Sequence, residues 1–182
     1  MREMLIQTAS ETLRDIHRDV WRMAHAPEDR RSGRTFQFAL FDADPNAPTR
    51  VLVRGALLPG RHCQEVPPLV AWQVYRFRAD VRAVSRSDFG ETNLPAEEIP
   101  AWMSARLEGM TVLDLRSGAV RTRPMDRNCT LGYHCVSGRV RIEDAARATL
   151  VRDTGIGRSK GFGFGMLILT PETQDLGWDG KA

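Results

Sequence analysis

Hydrophobic and polar positions along this chain follow two periods, and the changes between them predict its elements. A short apolar run, Met4-Leu5-Ile6, reads as a first strand. Beyond Ser10, a candidate N-cap, Leu13, Ile16, Val20 and Met23 recur at spacings of three and four. That recurrence predicts an amphipathic helix from Ser10 to about His25, with Pro27 just past its end. Alternation then takes over. Arg34–Asp42 (RTFQFALFD) is a strand rich in aromatics, Asp44-Pro45-Asn46 marks a turn, and Arg50–Leu58 is the partner strand. Pro59-Gly60 and Pro67-Pro68 break the chain and leave no room between them for a substantial helix. Trp72–Ala83 (WQVYRFRADVRA) is a further strand, with Arg76, Arg78 and Arg82 on one face.

The polar, turn-rich stretch Ser85–Pro95 (SRSDFGETNLP) reads as a linker between a first domain, residues 1–84, and a second, residues 96–182. After it, Glu97–Glu108 predicts a helix with Trp102, Ala105 and Leu107 in its apolar set and Gly109 as its C-cap. Thr111–Leu115 and Ala119–Arg123 predict two strands around a Ser117-Gly118 hairpin turn, and Tyr133–Ile142 predicts another strand. Asp144–Arg152 follows as a helix with Ala145, Ala148 and Leu150 as its apolar part, and Met166–Leu169 is a buried last strand. The expected class is α+β, two tandem ferredoxin-like βαββαβ units, the first with a reduced second helix. RNA-recognition domains use this unit.

Composition narrows the picture in three ways. A hydrophobic share of 42% in 182 residues supports a packed core, as one large domain or two small ones. The apolar run at the N-terminus is too short for a signal peptide or a membrane span, so no membrane association and a cytoplasmic location are expected. Cys63, Cys129 and Cys135 form no CxxC pair, which fits a reducing compartment, and Cys129, His134 and Cys135 lack zinc-ligand spacing. No metal and no cofactor is expected. The net charge of +3 is only mildly basic, yet Lys160 and Lys181 are the only lysines among 26 basic residues. Arginine makes planar, bidentate contacts with phosphate, although a GC-rich genome gives the same bias.

Three stretches carry candidate chemistry. On the first helix Arg14, Arg18 and Arg22 recur every four residues, with His17 and Trp21 along the same flank. Like charges at that spacing repel one another and are better tolerated facing an anion; a solvated helix face accounts for them equally well. Of the histidines His17, His25, His62 and His134, only His17 lies mid-helix among arginines, and imidazole suits acid–base work near neutral pH. RNA backbone cleavage requires neither a metal nor a protein nucleophile, because the 2′-OH attacks the adjacent phosphate. A histidine with Arg22 or Arg14 can move protons and stabilise the charge that develops. The second stretch is the predicted hairpin with its exit, which carries Arg116, Arg121, Arg123 and Arg127, candidates for gripping a double-stranded stem.

The third is Gly155–Gly165, GIGRSKGFGFG, with glycine at five of eleven positions. Glycines this dense suit φ > 0 or close backbone approach, and free N–H groups beside Arg158 and Lys160 suit a phosphate. A helix precedes it and a strand follows, the reverse of a dinucleotide fingerprint, and no Walker A, HExxH or paired-carboxylate motif occurs.

The order Gly-x-Gly-Arg-x-Lys-x-x-Gly-x-Gly-apolar resembles the glycine-rich loop of RAMP-superfamily CRISPR proteins, specifically the type I-E RNA-processing endoribonucleases called CasE. Gly155, Gly157, Lys160, Gly163 and Gly165 match, with Met166 in place of leucine. His17 in LRDIHRDVW matches the histidine helix of that family. YRFRADVRA, IPAWMSARLEGM and GRVRIEDAARATL are similar to further family segments, so the resemblance spans nearly the whole chain. It implies two ferredoxin-like domains and metal-independent cutting of a CRISPR repeat RNA hairpin. It also implies an enzyme that stays with its product among other subunits of a CRISPR effector complex. Carried over by position, His17 is the general acid or base, Arg22 stands where the family has lysine, and Arg14 stands where it commonly has tyrosine. Arg18, Arg116, Arg121, Arg123, Arg127, Gly155, Gly157, Arg158 and Lys160 are the expected RNA contacts. Arg14 also sustains a second reading, a non-catalytic RNA-binding subunit; a metabolic enzyme of ferredoxin-like fold finds no small-ligand motif to support it.

Overall fold

The computed structural model describes residues 1–24, 36–41, 47–58, 60, 62–88 and 90–172. The expectations for His25, Pro27, Arg34, Asp42, the 44–46 turn and Pro59 lie outside those residues.

The chain runs β1 (Arg2–Thr8), α1 (Leu13–Ala24), β2 (Phe36–Phe41), β3 (Thr49–Gly55), β4 (Gln64–Glu65), β5 (Val74–Val81), β6 (Val84–Ser87) and β7 (Gly90–Asn93). It continues through α2 (Ile99–Ser104), β8 (Met110–Ser117), β9 (Arg121–Pro124), β10 (Thr130–Ile142), α3 (Ala145–Thr154) and β11 (Ile168–Pro171). Two larger antiparallel sheets result, with main paths β2-β3-β1-β4 and β11-β5-β10-β8, β9 pairing with β10 off the second path. Each places its own strands in the order fourth, first, third, second, the ferredoxin-like arrangement expected from the sequence.

Strand partners differ from expectation in three places. The strand around Trp72–Ala83, expected as the last of the first unit, is β5 and opens the second sheet between β10 and β11. The first sheet is completed instead by two-residue β4, which pairs Arg2 with Glu65 and Glu3 with Gln64. Alternation shows which face of a strand is apolar, not which strand it joins. The expected linker is a two-stranded ribbon, β6 against β7. The expected hairpin about Ser117-Gly118 does not pair with itself. β10 is long enough to take β9 along residues 130–133 and β8 along 136–142.

Two apolar cores sit between helices and sheets. In the first, α1 buries Leu13, Ile16, Val20 and Ala24 against Phe36, Phe38, Leu40, Val51 and Val53; Met23 is exposed. In the second, Tyr75, Phe77, Ala79 and Val81 of β5 meet Val136, Val140 and Ile142, under Ile99, Met103, Leu107 and Ala148. The predicted helix over Glu97–Glu108 is shorter: a 3-10 turn, then α2. It buries Ile99 and Met103, one turn apart, and leaves Ala105 outside, with the Arg106 guanidinium 4.2 Å above the Trp102 ring. On α3, Leu150 is exposed and Arg152 is buried.

Arg54 joins the two units. Its side chain is 3% exposed. Nη2 lies 2.5 Å from the Glu3 carboxylate, and Nη1 donates to the carbonyls of Arg152 (3.1 Å) and Leu167 (2.8 Å). Gln37 Nε2 donates to the same Arg152 carbonyl at 2.7 Å. Burial pulls the pKa of the guanidinium down, and the Glu3 carboxylate pulls it back. Arg54→Ala leaves the partly buried Glu3 carboxylate without its cation and removes a buried donor from each of two carbonyls of the other unit. Removing one partner of a buried pair costs about 3–5 kcal/mol. Denaturant unfolding of Arg54→Ala is expected to show a loss of that size; a change of a few tenths of a kcal/mol would remove Arg54 from this role.

Candidate functional site

The first helix is fixed at both ends of its first two turns. Thr12 is its N-cap rather than Ser10: the Asp15 N–H donates to Thr12 Oγ1 at 3.2 Å, and that hydroxyl donates to Asp15 Oδ2 at 2.6 Å. Ser10 instead donates to Asp19 Oδ2 at 2.7 Å, beside the Thr8 hydroxyl at 2.8 Å. The hydrogen bonds from Ser10 and then Thr8, with the charges of Arg22 and Arg18 adding, hold the Asp19 carboxyl below its ordinary 3.8. The Arg14 N–H, one of the first-turn groups without an intrahelical partner, donates to the Met125 carbonyl at 3.1 Å. That contact sets the helix start against the turn between β9 and β10.

The polar flank of α1 then forms a shallow depression of about 450 Å³ lined by Arg14, His17, Arg18, Trp21 and Arg22. The three arginines are exposed and the histidine half-buried. Arg14 Nη2 pairs with Asp126 at 3.1 Å, and Arg18 pairs with Asp15. Arg22 makes no ion pair among the described residues; its charge acts on Asp19. The His17 ring lies among aromatic neighbours, with centroids 5.8 Å from Trp21, 6.5 Å from Phe38 and 5.6 Å from Phe162. Its Nδ1 is 2.5 Å from the Gly161 carbonyl oxygen. A carbonyl only accepts, so Nδ1 carries the proton. The neutral ring therefore keeps its lone pair on Nε2, at the depression.

The glycine-rich stretch thus meets α1 directly. Its 3-10 turn, Lys160–Phe162, lies on the helix and on β2. Gly163 has φ +86°, and a Cβ there would come within 2.8 Å of the Phe38 ring. Gly165 has φ +79°, and a Cβ there would strike the Ile156 carbonyl. Both positions require glycine. Several backbone N–H groups of this stretch are engaged within the fold. Gly155 donates to Val151 (2.9 Å), Ile156 to Gly165 (2.7 Å), Phe162 to Ser159 (2.8 Å) and Gly165 to Asp80 (2.7 Å). Lys160 Nζ donates to the Thr154 and Gly155 carbonyls, each at 2.9 Å. Arg158 pairs with Glu91 of β7 at 2.7 Å, and Arg82 shares that carboxylate at 2.7 Å.

Of the remaining expected contacts, Arg121, Arg123 and Arg127 lie on the β9–β10 ribbon and its turn, which abuts the start of α1. Arg121 and Arg127 are exposed, and the Arg123 guanidinium stands 5.4 Å from the Tyr133 ring centroid. Arg116 stands apart, in a separate depression with Arg76 and Arg139 on the second sheet. His134 is fully buried, its two nitrogens against the Leu94 and Gly118 carbonyls. Burial, with the Asp80 carboxylate, pushes the Cys135 thiol up to about 11, so at neutral pH it is neither a thiolate ligand nor a nucleophile. Among the described residues no group of three His, Cys, Asp or Glu side chains could hold a metal ion, and no helix is long and apolar enough to cross a membrane.

The model of the family described as "CRISPR associated protein" matches residues 2–171. The chain belongs to that family. No curated protein matches this CRISPR-associated protein. Among solved structures, CRISPR endoribonuclease Cse3 bound to 19 nt RNA is similar at TM-score 0.75 and 22% identity, over 93% of this chain and 98% of that one. Cse3 of Thermus thermophilus, bound to an RNA representing a pre-cleavage complex, gives 0.74 and 23%, over 93% and 98%. CRISPR-associated protein Cas6e of Escherichia coli str. K-12 gives 0.73 and 21%, over 94% and 100%. The fold of this CRISPR-associated protein is therefore the fold of CasE proteins.

Several residues of the site are invisible in the sequence as such. Gly161 acts through its carbonyl, Phe38 and Phe162 through ring contacts with His17, and Asp126 and Glu91 by pairing with arginines expected to meet RNA. Asp19 is another, and it anchors α1. Because its folded pKa is depressed, its contribution is complete well above 3.8 and is lost as pH falls through the lower folded value. Asp19→Asn is expected to lower stability by about 1 kcal/mol at neutral pH. The deficit should vanish in acid below 3.8. Thermal melts across that range check it, and a pH-independent deficit would contradict it.

Proposed function

We propose that this chain is a metal-independent endoribonuclease that binds the hairpin of a CRISPR repeat transcript and cuts at the 3′ base of the stem. The observation that carries the proposal is His17: its tautomer is set by the Gly161 carbonyl, and it sits beside Arg18 and Arg22 in an open depression. In the reaction the substrate 2′-oxygen forms a bond to the adjacent phosphorus, and the bond from phosphorus to the 5′-oxygen breaks. His17 Nε2 either takes the 2′-OH proton or, when protonated, gives one to the leaving 5′-oxygen, with water serving the other transfer. Arg22, which no carboxylate pairs among the described residues, stabilises the phosphorane charge, and Arg18 holds an adjacent phosphate. Arg14, tied to Asp126, sets the ribbon that carries Arg121, Arg123 and Arg127 beside the cut. These arginines grip the stem through phosphates, because A-form major grooves resist base readout. One similar structure is CRISPR endoribonuclease Cse3 bound to 19 nt RNA and another is a CRISPR RNA-guided surveillance complex, which supports repeat RNA and effector subunits as partners; the proposed location is the cytoplasm. The second reading, a non-catalytic RNA-binding subunit, is favoured by one observation: Arg14, where the CasE pattern commonly has tyrosine, is engaged by Asp126.

Labelled repeat RNA from beside this gene decides between them. Expected are 2′,3′-cyclic phosphate and 5′-hydroxyl ends, formed at the same rate with EDTA present. His17→Ala is expected to bind the hairpin unchanged and cut it about 10²–10⁴-fold more slowly. Binding should weaken with salt by about 0.7–0.9 log units per log unit of salt for each phosphate held. Retarded but uncut RNA would favour the second reading, and inhibition by EDTA would exclude the mechanism.

A further inference from the structure

Lys160 lies one residue before the carbonyl that sets the His17 tautomer, and it does not line the depression. It donates to the carbonyls of Thr154 and Gly155 at the C-terminus of α3, both at 2.9 Å. Carbonyls at a helix end lack intrahelical donors and carry the negative end of the helix dipole, so a cation is well placed there. The turn between that helix end and α1 is also held by backbone hydrogen bonds from Phe162 to Ser159 and from Gly165 to Asp80, and it needs them. Ser159 has φ +57°, unusual for a residue with a side chain, and Gly163 lies at φ +86°. Gly161 between them has no side chain to anchor it. A turn of this kind persists only where its surroundings hold it. On one side the Phe162 ring meets His17, and Arg82 Nη1 donates to Ser159 Oγ at 3.2 Å. On the other side stands the Lys160 ammonium.

We propose that Lys160 is a positioning residue for His17: by clasping the end of α3 it holds the Gly161 carbonyl on Nδ1 and so leaves Nε2 for the substrate. The inference rests on the role given to His17 above, and it replaces the expectation that Lys160 meets an RNA phosphate. The two roles separate cleanly. A phosphate contact acts on affinity and its salt dependence; a clasp acts on the ring and on the chemical step. A 1 Å misplacement of a reacting group can cost about 10²-fold in rate.

The test compares Lys160→Met and Lys160→Arg with the unaltered full chain. In ¹⁵N-histidine-labelled protein, with His17→Gln assigning the signal, neutral His17 is expected to show a protonated Nδ1. Lys160→Met should convert this to a mixture of tautomers, and Lys160→Arg should restore it. On saturating repeat RNA, single-turnover cleavage by Lys160→Met should fall roughly 10- to 100-fold, with Kd and salt slope unchanged. An unaltered His17 signal, an unaltered cleavage rate, or a weaker Kd with a slope reduced by about 0.7–0.9 would overturn the proposal. Should Lys160→Met not fold, Lys160→Gln, which keeps a donor but not the charge, carries the same comparison. If the unaltered protein cuts no RNA, the endoribonuclease reading fails, and the ring spectra still decide the clasp.

Discussion

The buried guanidinium of Arg54 is the constraint on which the arrangement of this protein turns. Its charge is balanced by Glu3 within the first sheet, while its remaining donors reach the carbonyls of Arg152 and Leu167 in the second unit. Those carbonyls bracket the segment from the end of α3 to the start of β11. Between these two fixed points the glycine-rich stretch lies against α1 and β2. Gln37 reinforces one of the two points, and Arg152 ties the same corner to the Pro67 carbonyl at 2.8 Å.

Within that frame the glycine-rich stretch is a structural hub. Its N–H groups close α3 and cross-link the loop, and its basic side chains pair with a helix end and with Glu91. What it supplies to the site is a carbonyl and an aromatic ring, both applied to His17. Glycine is needed there for conformation and close approach, at Gly163 against Phe38 and at Gly165 against Ile156. The cationic surface comes from elsewhere, from α1 and the β9–β10 ribbon. These two are joined by the Arg14–Asp126 pair and by the backbone hydrogen bond to Met125.

Much of this was legible in the chain itself. The spacing of Leu13, Ile16 and Val20 specified a helix that presents His17 and three arginines together, because a helix repeats every 3.6 residues. Alternation marked the long strands and their faces, and the order of the glycines marked the family. Pairing was less legible. β5 carries the same alternation whichever sheet receives it, and two-residue β4 has no pattern to read. The apolar choices on α2 and α3 also shifted. Ile99 and Met103 were buried instead of Ala105, and Arg152 went inward while Leu150 faced out, because the neighbouring layer decides which stripe of a short helix is covered.

The sequence by itself determined the class of fold, the helix of His17 and its arginines, the basic ribbon, and the resemblance to CasE proteins. These follow from local periods and from the order of residues in one stretch. Tertiary structure decided which arginines remain available, since Asp126, Glu91 and Asp15 lie up to 112 positions from the cations they engage or only a turn away, and sequence distance does not distinguish the two. It also decided the tautomer of His17. That depends on a backbone carbonyl 144 positions along the chain, and a carbonyl belongs to every residue alike, so no residue code announces it.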